Sequence, residues 1–217
     1  MRPAAASVVL GLALAVGAPT AWVLTRPEAA AGTPVEQALP APTTPAGAGG
    51  LPTLPTVTAR DAAPSAAPSA PAPARISVPA WGVDAPVDAV GVAADGQMEL
   101  PEDVARVGWY RFGPAPGADG SAVIAGHVDD REQGPGALFP LRDAAVGDEV
   151  AVTDAAGGVT RWRVVSRETI TKQVLPVDRL FAREGAPRLT LITCGGPFLP
   201  EFSSYRDNVV VVAEPLP

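Results

Sequence analysis

Eleven prolines fall between Pro27 and Ala74, in a stretch otherwise rich in Ala, Thr, Ser and Gly. Proline fixes φ and removes a backbone donor, and this composition buries too little apolar surface to offset the entropy of ordering the chain. Neither a two-residue nor a 3.6-residue apolar period runs through it. Residues 27–74 are therefore expected to be a Pro/Ala-rich disordered linker, an extended spacer. Any packed core is confined to residues 75–217, which suffice for one ordinary domain.

Before the spacer, Ala4 to Thr25 carries no charge. As a helix it would span ~33 Å at ~1.5 Å per residue, about the hydrocarbon thickness of a bilayer. Residues 1–26 are expected to form an N-terminal membrane helix, with Arg2 on the cytoplasmic side and Trp22 at the far interface. Pro19 would kink such a helix without excluding it. A cleaved signal peptide ending near Ala29-Ala30-Ala31 is the alternative, but the apolar run is longer than a usual signal core. The expected location is the cell membrane, single-pass, with the folded domain outside the cytoplasm.

From Arg75 the pattern changes to short β-branched runs between turn residues. Expected strands are 75–78, 83–90, 97–100, 121–127, 149–153, 159–171, 188–194 and 208–213, with brief helices at 101–105, 137–141 and 176–181. Asp154 to Gly158 reads as a hairpin connection. Many short strands in so few residues predict an all-β sandwich or closed barrel, where few edges stay exposed. The chain has 16 Lys or Arg against 23 Asp or Glu. The two signs balance up to Ala74, so the whole net charge of −7 sits on the folded region. No nucleic-acid partner is expected of an acidic domain.

One Cys and one His are present. A single Cys forms no internal disulfide, and soft ligands are too few for zinc. The acidic residues follow no Ca²⁺-loop spacing, so no metal or other cofactor is expected. By composition, Cys194 could be a small buried hydrophobe. Its position argues otherwise. The apolar run Arg188 to Thr193 delivers it to Gly195-Gly196, a rigid strand ending in a loop that lets a substrate backbone approach. His127 follows a second apolar run, Ala122 to Gly126, and is the one side chain whose ordinary pKa suits acid–base service to a thiol. Arg206, the sole basic residue after Cys194, could brace an oxyanion, or could simply pair with Asp207 or Glu201 at the surface. Asp129 and Asp130 could orient His127, though a solvated turn is the simpler reading.

These residues resemble the sortase family. Thr190-Leu191-Ile192-Thr193-Cys194 matches its TLxTC motif, Gly126-His127 resembles its histidine strand, and an Arg follows on the next strand. Cys194 to Phe198, Tyr205 to Val211 and Gly126 to Asp129 are most similar to class F, with class E second, of high-GC Gram-positive bacteria. The resemblance implies a closed eight-stranded sortase-type β-barrel with short helices. It implies a cysteine transpeptidase that cleaves LPxTG-like sorting signals of secreted proteins between Thr and Gly. A thioacyl-enzyme would pass the protein to an amine of a cell-wall precursor. Cys194 would be the nucleophile, His127 the acid and base, and Arg206 the oxyanion and substrate clamp. Thr193 and Gly195 would touch substrate. Leu51 to Thr56 resembles the start of a sorting signal, but no Gly follows in register and no function is assigned to it.

Other readings are another extracytoplasmic Cys-His hydrolase or transpeptidase, or a non-catalytic envelope-tethered β-barrel binding module. L,D-transpeptidases carry a His two residues before the Cys and an Arg two after, where this chain has Ile192 and Gly196. A thiol sealed in the core would favour the binding module.

Overall fold

The computed structural model describes residues 29–40 and 70–217. The expected membrane helix and spacer residues 41–69 lie outside the described residues. Among the described residues no helix is long and apolar enough to cross a membrane.

The strands are β1 (Ala30–Gly32), β2 (Pro73–Val78), β3 (Val83–Val90), β4 (Val107–Tyr110), β5 (Ser121–Ala125), β6 (Asp129–Asp130), β7 (Gly134–Pro135), β8 (Glu149–Asp154), β9 (Val159–Thr171), β10 (Arg188–Leu199) and β11 (Ser204–Pro215). Two one-turn α-helices accompany them, α1 (Val35–Ala38) and α2 (Val177–Leu180). Around the ring the order is β9, β11, β10, β5, β4, β3, β2 and β8, and β8 pairs back to β9. Eight strands thus close a barrel and leave few free edges. The β3–β4 and β5–β10 pairs are parallel and the other ring pairs antiparallel.

Alternation along the strands builds the core. In β3, Val83, Ala85 and Val87 point inward while Asp84 is exposed. They meet Ile76, Trp109, Ile124, Leu138, Trp162, Leu189, Leu191 and Val211 inside the barrel. A second apolar cluster covers the outer face of β5, β10 and β11, through Val123, Ile192, Val210 and Val212. β10 and β11 therefore bury both faces, which is why they read as unbroken apolar runs.

Several expectations need correction. Within the expected linker, residues 29–40 are ordered on the barrel. β1 pairs with β9, Ala31 opposite Arg167, and α1 sinks Val35, Ala38 and Leu39 into the outer cluster. The Val35 N–H donates to Glu168 at 3.1 Å, and Arg188 Nε donates to the Ala38 carbonyl at 2.8 Å. Composition hid this strap because three buried side chains and a borrowed strand edge are enough to hold it. The expected strand 97–100 is only a bridge from Met98 to Val92, and β4 takes its place in the ring. The helix expected at 101–105 is absent, and that at 137–141 is a 3₁₀ turn at Phe139–Asp143. Finally, β10 does not stop at Cys194. It continues to Leu199 opposite β11, with a register shift between Gly195 and Phe198.

Candidate active site

The two threonines of the TLxTC run join the strands that carry Cys194 and His127. β5 and β10 lie side by side and parallel, from Arg188 opposite Ser121 to Ile192 opposite Ala125. At one end the Ser121 and Thr190 hydroxyls share a buried hydrogen bond of 2.8 Å. At the other, the Gly126 N–H donates to the Ile192 carbonyl at 3.1 Å, and the buried Thr193 hydroxyl donates to the Gly126 carbonyl at 2.8 Å. His127 and Cys194 are the next residues on the two chains. His127 lies just beyond the end of β5, and its side chain lines neither of the clefts that meet at Cys194. Thr193, expected to touch substrate, commits its hydroxyl to this brace.

Cys194 is half-buried rather than sealed in the core, which removes the observation that would have favoured a binding module. It stands at the seam of two clefts, whose only shared lining residues among the described ones are Thr193 and Cys194. The first is mostly apolar, about 490 Å³, and is walled by Met98, Leu100, Tyr110, Ala125, Leu175, Phe181 and Ile192, with Asn208 beside the thiol. Tyr110 and Phe181 meet edge to face, 5.1 Å between centroids. The second is about 350 Å³ and more polar, with Asp129, Arg142, Arg167, Thr169, Gly195 and Tyr205 in its walls.

The strand partner of Cys194 is Asn208. Arg206 lies one step further along the same face of β11 by strand alternation. Its guanidinium lines neither cleft. It grips Asp207 through two hydrogen bonds of 2.8 and 2.9 Å, about half exposed while Asp207 is buried. These bonds hold the Asp207 carboxyl below the usual carboxylate range. Gly196 is required beside them: its φ is +70°, and a Cβ there would come within 2.7 Å of the Asp207 carboxyl carbon.

The carboxylates after His127 do not orient the imidazole. Asp129 accepts a hydrogen bond of 2.6 Å from the Tyr205 hydroxyl, which raises the Tyr205 pKa. This bond clasps the His127 loop to β11. Asp130 accepts from the Gln133 and Glu132 N–H groups. Those bonds hold its carboxyl below the usual range, and the charge of His127 adds the smallest share. Tyr205, Arg142 and Arg167 did not emerge from the sequence as site residues, because only the tertiary fold gathers them.

Residues 76–216 match the family model of the sortase domain. The chain belongs to the sortase family. As a sortase it is a cysteine transpeptidase. Solved sortases share its fold at low identity. Sortase C1 from Streptococcus suis is 16% identical with a TM-score of 0.52, covering 67% of this chain and 73% of that one. A lid mutant of sortase A from Corynebacterium diphtheriae is 19% identical with a TM-score of 0.52, covering 68% and 71%. Streptococcus agalactiae sortase C1 in complex with MTSET is 20% identical with a TM-score of 0.51, covering 66% and 68%. A search of curated proteins finds no significant match.

Proposed function

We propose that this sortase, most similar to class F with class E second, cleaves an LPxTG-like sorting signal between Thr and Gly and transfers the protein to a cell-wall amine. The apolar cleft takes the signal. The Cys194 sulfur attacks the Thr carbonyl, the C–N bond to Gly breaks, and the departing amine takes a proton from His127. The acceptor amine then attacks the thioester, gives a proton to His127, and releases the Cys194 sulfur. Arg206, whose guanidinium is half exposed, turns from Asp207 to the substrate and its oxyanion. An N-terminal helix tethers the enzyme to the cell membrane, with the barrel outside the cytoplasm.

One observation carries the reading: the Thr193 hydroxyl donates to the Gly126 carbonyl, tying together the residues that immediately precede Cys194 and His127, with an apolar cleft open to the thiol. The test is the full chain in detergent, given a panel of LPxTG-like peptides and hydroxylamine. The expected products are the released C-terminal fragment and a hydroxamate at Thr. Cleavage at another bond, or none across the panel, would refute the assignment.

A further inference from the structure

The polar cleft holds charge that the fold leaves unanswered. Arg167 comes from the middle of β9 and is only 8% exposed, yet its Nε has no hydrogen-bond partner. Its Nη1 donates to the Arg142 carbonyl. Arg142 is fixed in turn, its guanidinium 3.7 Å from the centroid of the Phe139 ring and its Nε donating to the Phe139 carbonyl at 3.1 Å. Among the described residues neither arginine has a carboxylate within ion-pair distance. Burying a guanidinium without an anion is costly, and a planar fork with open N–H groups matches a carboxylate. Asp129, in the same wall, is already engaged by Tyr205 and does not fill this role.

We propose that Arg142 and Arg167 form an anion subsite that binds a carboxylate of the incoming amine acceptor, on the opposite side of Cys194 from the apolar cleft. The acceptor is thus a short amino-acid or peptide amine that carries a free carboxylate. The Asp129 carboxylate faces the same space and suits the ammonium end. The two clefts meet at the thiol, so an amine held here approaches the thioester from the side the acyl peptide leaves open. The proposal rests on the reading of this chain as an amine-accepting transpeptidase.

Two arms test it with the full chain in detergent. In the binding arm, Cys194→Ala protein is titrated with triglycine, triglycinamide and inorganic phosphate. Triglycine should bind about tenfold more tightly than its amide, the worth of one charge-assisted contact. Arg142→Gln should erase that ratio. Should Arg142→Gln fail to fold, Arg167→Lys, which keeps the charge but loses the fork, should shrink it. Equal binding of acid and amide, or binding of phosphate without triglycine, overturns the proposal. In the turnover arm, the intact enzyme receives a sorting-signal peptide and either acceptor, and KM should show the same ratio. Failure to cleave the peptide would refute the proposed function, while the binding arm still decides the subsite.

Discussion

Adding one methyl group at Gly136 should disable the site from behind. Gly136 follows the β6–β7 hairpin and donates its N–H to the Val128 carbonyl at 2.9 Å. A Cβ on Gly136 would press on the His127 carbonyl oxygen, lie 2.9 Å from the His127 carbonyl carbon and 3.3 Å from the Val104 oxygen. All three are backbone atoms, so no flexible side chain can yield. Restoring an ordinary carbon–carbon separation of ~3.5 Å requires a shift of at least about 0.6 Å, borne by the His127 peptide or by the hairpin. Overpacking of this kind costs about 1–3 kcal/mol, or a fall in Tm of roughly 2–4 °C per kcal/mol for a domain of this size. Misplacing an acid–base group by about 1 Å costs on the order of 100-fold in rate. Gly136→Ala should therefore stay folded at 25 °C and lose about 10- to 100-fold in peptide cleavage. Thermal unfolding and a timed hydroxylamine-capture assay read the two effects separately. A folded Gly136→Ala protein with wild-type turnover would refute the argument that the His127 backbone is held against Gly136.

Three other changes probe the surrounding structure. Thr193→Val leaves the Gly126 carbonyl without its buried partner and should cost about 1–3 kcal/mol with a loss of turnover; denaturant unfolding with no change in midpoint would contradict the brace. Tyr205→Phe removes the bond to Asp129, which raises the tyrosine pKa. A raised group contributes stability that is complete below its unfolded pKa of about 10 and lost as pH rises through the folded value. The deficit of about 1 kcal/mol should thus be present at pH 7 and vanish in alkali, and a deficit independent of pH would argue against it. Starting the chain at Ala70 instead of Pro27 strips Val35, Ala38 and Leu39 from the outer cluster and Ala29 from the polar cleft, while leaving β2 whole. Burying a Val or Leu side chain contributes about 1.5–3 kcal/mol, so the shorter chain should unfold several degrees lower in a thermal scan; equal Tm values would mean the strap adds nothing.

The barrel was largely legible because its strands repeat a local signal. β3 and β9 have the expected bounds, since alternation in β3 and a long run without Pro or Gly in β9 both belong to the strand itself. β4 escaped notice: Val107-Gly108-Trp109-Tyr110 is four residues long, has Gly inside, and is buried on both faces, which leaves no period to find. Residues 97–100 alternate well but find only one bridging partner. The strap shows the opposite failure, where composition spoke for disorder and tertiary contacts overrode it. At the site, Cys194 and His127 stood out as singletons at the ends of apolar runs. The TLxTC threonines gained a physical reason from the structure, which is to tie β5 to β10. Arg142, Arg167 and Tyr205 lie at sequence distances no pattern connects. Their convergence depends on β9, β11 and the 3₁₀ turn at Phe139–Asp143 packing around one opening.

During turnover the Cys194 sulfur is expected to carry the acyl group. Mass spectrometry of the quenched enzyme, caught during turnover of an LPxTG-like peptide without acceptor, measures it directly. The expected result is an adduct equal in mass to the N-terminal peptide fragment, mapped to Cys194, discharged by hydroxylamine and absent from Cys194→Ala protein, which should not cleave. Sustained peptide cleavage by the Cys194→Ala chain, or an adduct on another residue, would contradict it.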